Sequence, residues 1–386
     1  MTDSSPKVKL PRNFLRAGQQ TPVDVYAKNG VLLLKRGHYV LTEEQRDRLA
    51  RLGHGESDEV EARLERERLE RAAMREKEAE QQRNSSNPLQ EMAFLLRRAE
   101  GVLLHGLAVR DLAGSLLDMA DGLLNISRRH PDGVLASVFL LPYQDIGSAQ
   151  SAHVAAILAV LGRRLGLSDA ELRPMLGAAL SMNIAITGLL NQLARQAEPM
   201  NADQQGLMFA HPALGSAMLR EAGVVDECWH QLVQQHHEQL DGDGYPLGLA
   251  GDEVAPDALL LQMVDLVCGC VHQPQPQLPA LVLGSLFRGE LGRFPPQHVS
   301  LLVKELGIYP PGSFVLLASN EVAVVTHRGD KANTPRVAAL RKLDGPPYAD
   351  PLLRDSRQPA YQVLEPVAAT AAATKPAYLY KLWYKP

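Results

Sequence analysis

His236-His237-Glu238-Gln239-Leu240-Asp241-Gly242-Asp243-Gly244-Tyr245-Pro246 is the stretch on which the reading of this chain turns. Two adjacent histidines and a carboxylate run into a glycine-rich turn closed by Tyr-Pro. Imidazole and carboxylate are ligand types for iron, manganese and related ions. Glycines let such a turn visit backbone conformations closed to other residues. A lone histidine on a helix is most often an ordinary surface or core residue. The combination therefore carries the weight.

Composition narrows what surrounds that stretch. A chain of 386 residues can build two or three domains around a substantial core. Hydrophobic residues at 45% and charged residues at 22% fit a globular protein. A formal net charge of −4 gives no global basic field, so nucleic acid is not an expected partner. Three cysteines, Cys228, Cys268 and Cys270, are too few for a disulfide scaffold and fit a reducing compartment. Cys268-Gly269-Cys270 reads as small residues packed in a helix. No apolar run approaches the ~20 residues that cross a bilayer, and the N-terminus MTDSSPKVKL has no apolar signal core. The expectation is a cytoplasmic protein without a membrane span.

Residues 1–57 read as a small α+β module. Val23–Tyr26 and Val31–Leu34 are strand candidates around the turn signal Lys28-Asn29-Gly30. Thr42 and Gln45 mark the start of a helix that Gly53 stops. Residues 58–88 form a charged helical linker, dense in Glu and Arg. It reads as an exposed connecting helix, with a chain-pairing coiled coil, and hence a dimer, as the alternative. From 89 to 305 apolar stripes recur at helical spacing, and such stripes are usually core. Residues 306–345 turn β-rich after Pro310-Pro311-Gly312, and 346–386 read as a loose tail with an aromatic anchor near Trp383.

The string HHEQLDGDGYPLGL resembles the signature of HD-GYP proteins, and GIYPPGSFVLL resembles the segment that closes their domains. The resemblance covers roughly residues 130 to 345. It implies a mainly α fold: a helical domain of the HD superfamily between the N-terminal α+β unit and the β-rich extension. It also implies a metal-dependent phosphodiesterase that opens cyclic di-GMP, with GGDEF-type signalling proteins as partners. Metals in such a site neutralise phosphate and activate water, and in a helical fold their ligands come from several helices. On the resemblance, HPALGSAML places His211 as a metal ligand, HHEQLDGDGYP places His236 and His237, and LLLQMVDLVCGCV places Asp265. The turn of Asp241, Gly242, Gly244, Tyr245 and Pro246 would line the site and meet partners.

The chain departs from the family at four positions. The eponymous His-Asp pair falls on Met182 and Asn183, the following lysine on Ile186, and an upstream ligand histidine on Gln150, with His153 three residues further on. A thioether is a poor ligand for hard or borderline cations, and a carboxamide offers one neutral oxygen. The segment after Asp265, residues 271–279, has no Lys or Arg where relatives hold phosphates, and His272 is a poor stand-in. The expectation is a catalytically impaired binding or scaffold protein in cyclic di-GMP signalling. It would hold one divalent transition metal, iron or manganese, weakly or not at all. The alternative is a residual metal-dependent phosphodiesterase.

Overall fold

Gly30, at φ +88°, makes the turn that Lys28-Asn29-Gly30 announces. The computed structural model describes residues 6–11, 14–66, 68–69, 87–272 and 276–383, in two compact units, Met1–Asn84 and Ser85–Pro386. The first unit holds β1 (Lys7–Lys9), β2 (Val25–Tyr26), β3 (Leu32–Leu34), helix α1 (Glu43–Leu52), β4 (His54–Glu56) and helix α2 over 57–66. Its antiparallel sheet runs in the order β1-β4-β2-β3. Thr42 caps α1 by accepting from Gln45 N at 3.1 Å. The Gln45 side chain reaches one residue further back than a capping box would, to Leu41 N at 2.7 Å. Leu10, Val23, Val25, Val40, Leu49 and Val60 make a small core. Strands β1 and β4 had no signal in the sequence, being three residues each. Most of the charged linker lies outside the described residues.

The second unit is built on helices that start at side-chain caps. They are α3 (Pro88–His105), α4 (Leu112–Arg129), α5 (Pro131–Leu140), α6 (Ile146–Arg164), α7 (Asp169–Ser181), α8 (Thr187–Leu193), α9 (Ala202–Glu221), α10 (Glu227–Gln235), α11 (Pro256–His272), α12 (Pro279–Phe287) and α13 (Pro296–Leu306). Asn87, Asp111, Asp145, Ser168, Asn201 and Asp226 each accept a backbone N–H of the first turn. Helix α6 is the axis: from Gly147 to Gly162 every residue but Gln150 is buried. Helices α3, α4, α5, α7 and α11 pack around it. Gly177 of α7 lies under Trp229 of α10, where an added Cβ would meet the indole at 2.5 Å. The indole N–H donates to Ser181 Oγ at 2.9 Å. This contact anchors the first turn of α10, the helix whose far end runs into His236 and His237.

A five-stranded antiparallel sheet closes the unit: β5 (Phe314–Leu317), β6 (Glu321–His327), β7 (Arg336–Lys342), β8 (Pro347–Asp355) and β9 (Val363–Val367), in the order β8-β7-β6-β5-β9. Alternation sorts its two faces. Phe314, Val322, Val324, Ala338 and Leu340 join the helical core. Val315, Leu317, Ala323, Val325, Val337 and Ala339 form a second cluster on the other face. The loose tail expected over 346–386 is corrected here. Strands β8 and β9 complete the sheet, and a short helix, α14 (Pro376–Leu379), leads to buried Trp383, which donates to Thr326 O at 3.0 Å. These strands were hidden because several of their side chains are exposed, which blurs the apolar alternation. No described helix is long and apolar enough to cross a membrane.

Glu321 ties the sheet edge together. It is buried, and its carboxylate accepts from Arg354 (3.1 and 3.0 Å), Tyr348 Oη (2.9 Å) and Ser319 Oγ (2.7 Å). Burial alone would raise its pKa, but these partners hold it at about 2, below the ordinary 4.5. A depressed carboxylate stabilises the fold fully above the unfolded value and loses that contribution as pH falls through the folded one. Glu321→Gln should therefore cost about 1–3 kcal/mol at pH 7. In thermal melts the gap between parent and variant should close as pH falls from about 4.5 to about 2.

Candidate metal centre

His211 lies in the middle of α9, and the next residue is Pro212. Proline has no N–H, so Met208 O, four residues before it, loses its helical partner. His211 Nδ1 takes that carbonyl at 2.5 Å. At the end of α10, Val233 O is among the carbonyls a helix terminus leaves open. His236 Nδ1 takes it at 2.7 Å. In both rings Nδ1 is therefore the N–H donor, and Nε2 carries the lone pair. The two Nε2 atoms face each other at 3.1 Å. Two acceptors at that separation need a proton or a cation between them.

His237 completes the group. His211, His236 and His237 each offer a nitrogen within 4.8 Å of the others. Burial lowers the pKa of His211 to about 4 and of His236 to about 3. His237 is pushed down as well, by burial and then by its two neighbours. The rings are thus neutral and lone-pair bearing at physiological pH, the form that binds metal. Among the described residues this is the one group of three or more His, Cys, Asp or Glu side chains close enough to hold an ion.

The turn that follows is fastened to the histidines. Glu238 is buried, and its carboxylate accepts from Leu247 N at 2.7 Å and Leu249 N at 2.9 Å. Its role is to fold the loop. Tyr245 N donates to His237 O at 3.2 Å. Gly244 presses on the backbone of Glu238 and Gln239, where an added Cβ would meet atoms at 2.4–2.7 Å. Gly242 sits at φ +84°, and Asp241 pairs with Ala250. Tyr245, which precedes Pro246, does not project freely. Its ring stacks on His237 at 4.6 Å on one side and on Phe209 at 5.6 Å on another.

The other expected positions are elsewhere. Asp265, on α11, is outside the three-histidine group, and Gln150 Nε2 donates to its Oδ1 at 2.7 Å. Burial raises the Asp265 pKa to about 6, against the opposing effect of that hydrogen bond. Met182 is fully buried and belongs to the hydrophobic core. Asn183 and Ile186 lie in the turn after α7, both buried. That turn abuts the histidine helices: Met182 O and Ile184 lie 3.6 Å from where a Cβ on Gly215 would sit. His153 and His272, unrelated in the sequence reading, meet at 3.0 Å and pack edge-on against Tyr143. Their 119-residue separation hid the pair. Three further contributors carried a signal or could have: proline directly after His211, Glu238 inside the motif, and Phe209 two residues before His211.

A family model described as an HD domain matches residues 138–267. A cyclic di-GMP phosphodiesterase of Pseudomonas aeruginosa is 31% identical over 241 residues, 57% of this chain and 54% of that protein. The chain thus carries an HD domain, and its resemblance to HD-GYP proteins is supported. A cyclic di-GMP phosphodiesterase response regulator of Xanthomonas campestris is 26% identical over 131 residues, 33% of this chain and 34% of that protein. The chain thus spans about half the length of the first relative and about a third of the second. An HDG"Y"P protein from Bdellovibrio bacteriovorus superposes with a TM-score of 0.47 at 19% identity, over 77% of this chain and 98% of that one.

Three neutral imidazoles with two lone pairs already converged fit a divalent transition metal in this HD domain. Pro212→Ala tests how the site is tuned. The alanine N–H competes for Met208 O, so His211 loses its orienting partner. Metal affinity, read by competition with a fluorescent chelator, should fall about 10–100-fold while the helix is retained by circular dichroism. Unchanged affinity would show that the freed carbonyl does not tune the ligand.

Proposed function

We propose that this HD-GYP protein works in cyclic di-GMP signalling as a binding or scaffold protein, with impaired catalysis. The observation that carries the reading is the placement of Met182 in the hydrophobic core. A ligand histidine at that place would have to point out of the core. Asn183 beside it is neutral, so it brings no negative charge to lie between two cations. Two divalent ions about 4 Å apart repel by about 16 kcal/mol at an effective dielectric of 20. Without a bridging carboxylate the usual pair is disfavoured, and at most one ion belongs at His211, His236 and His237.

The remaining chemistry supports the same reading. Gln150 hydrogen-bonds Asp265, so that carboxylate already has a partner. Residues 271–279 offer no lysine or arginine to hold a phosphate. The intact 241–246 turn remains as a shaped surface, and signalling proteins, GGDEF-type cyclases among them, are the partner class. A second reading, a residual one-metal phosphodiesterase, is favoured by the converging Nε2 atoms of His211 and His236. A metal there would polarise a phosphate oxygen. His211, His236 and His237 would hold it, and Tyr245 with Phe209 would wall it.

Turnover separates the two. The purified chain, supplied with manganese or iron, should not turn over cyclic di-GMP repeatedly, because missing ligands of one site act as a unit. Elemental analysis should give one transition metal per chain or less. Steady multiple turnover that disappears in His236→Ala would establish the phosphodiesterase instead, and two stoichiometric ions would refute the one-metal argument.

A further inference from the structure

A second site opens at the far end of α6. A cavity of about 500 Å3 lies where α4, α6 and α13 end and the β6–β7 loop crosses them. Arg164, on its rim, is fourteen residues along α6 from Gln150, about 20 Å at helical rise. None of His211, His236 and His237 lines the cavity, which is separate from the histidine group. It falls within the common size range of small-molecule pockets, about 300–1,000 Å3.

Its lining is cationic: Arg128, Arg163, Arg164, Lys304, Arg328 and Lys331. Three carboxylates are shared among the four arginines. Asp169 takes Arg128 at 2.5 Å and Arg163 at 3.1 Å. Buried Glu305 takes Arg164 at 2.9 Å and Arg328 at 3.0 Å, and Asp132 takes Arg328 at 2.6 Å. Asp330, also on the rim, leans to Arg357 at 3.6 Å. The ammonium groups of Lys304 and Lys331 have no hydrogen-bond or ion-pair partner among the described residues. Arg128 and Arg164 are more than half exposed, with guanidinium N–H groups to spare.

Helix ends account for part of this charge. Arg128, Arg163, Arg164 and Lys304 sit in last turns, where cations complement the helix dipole. Lys331 does not, because it lies in a β–β loop. That loop is held in place without any ligand. Arg328 clamps it to Asp132 and Glu305, Ile308 N donates to Ala332 O at 3.0 Å, and Thr334 N donates to Lys331 O at 3.1 Å. A lysine presented on a pre-formed backbone lowers the ordering cost of binding. Val160, Pro131 and Tyr309 add apolar surface for the organic part of a ligand.

We infer that this cavity binds a phosphorylated small molecule, with phosphate oxygens between Lys304 and Lys331 and the exposed guanidinium of Arg164. The test is calorimetric titration of the full chain at low salt with pyrophosphate, ADP and adenosine. Pyrophosphate and ADP should bind saturably, and more weakly as salt rises, while adenosine should not. The double variant Lys304→Ala with Lys331→Ala should bind about tenfold more weakly or worse, and Lys331→Arg should retain binding. Both lysines are exposed, so the melting temperature should stay near that of the parent. His236→Ala should bind as the parent does. No saturable binding by the parent, undiminished binding by the double variant, or loss in His236→Ala alone would each overturn the assignment.

Discussion

Helix α6 has no solvent face, and the second unit follows from that. A helix apolar all round can be stable only if other elements cover every side of it. Helices α3, α4, α5, α7, α8 and α11 do so, and small residues set how near they come. A methyl at Gly162 would overlap Leu172, and one at Gly147 would meet Thr187. Interiors packed to crystal density transmit such contacts as position rather than as slack. The two ends of α6 thus become fixed reference points. Gln150 meets Asp265 at one end, and Arg164 meets Glu305 at the other.

Legibility in the sequence tracked locality. The HD-GYP domain, the hairpin turn at Gly30, the cap at Thr42 and the alternation of β5 to β7 are short-range patterns, and each is present in the structure. Strands β8 and β9 were missed because tertiary pairing, not their own pattern, makes them strands. The same rule divides the site. His236 and His237 announce themselves in a motif, and His211 enters through the resemblance of HPALGSAML. The hydrogen bond of Gln150 to Asp265 spans 115 residues, and the His153–His272 contact spans 119. No spacing argument reaches across such distances. Tyr245 illustrates a different limit: a loop position does not say which way a ring faces, and aromatic stacking on His237 and Phe209 turns this one inward.

The side chains at positions 182 and 150 have a common physical sense. Met182 packs in the core, and Gln150 hydrogen-bonds Asp265. Each is satisfied by the protein itself. A buried carboxylate left without any partner would be costly, and the Gln150 amide meets that need without a metal. The α6–α7–α11 side of the site is therefore self-sufficient. The α9–α10 side is not, since the Nε2 atoms of His211 and His236 still face one another.

The hydrogen bonds that shape the glycine loop run from Glu238 to Leu247 and Leu249, and none spans more than eleven residues. Its close approach at Gly244 is to its own immediate predecessors. The loop is thus a closed clasp whose form depends on its own short segment, on the end of α10 and on Phe209 of α9, not on what occupies α7. Exchanging Met182 or Asn183 would leave the hydrogen bonds of that clasp untouched. The outline this face offers a visiting molecule is set independently of the chemistry beside it.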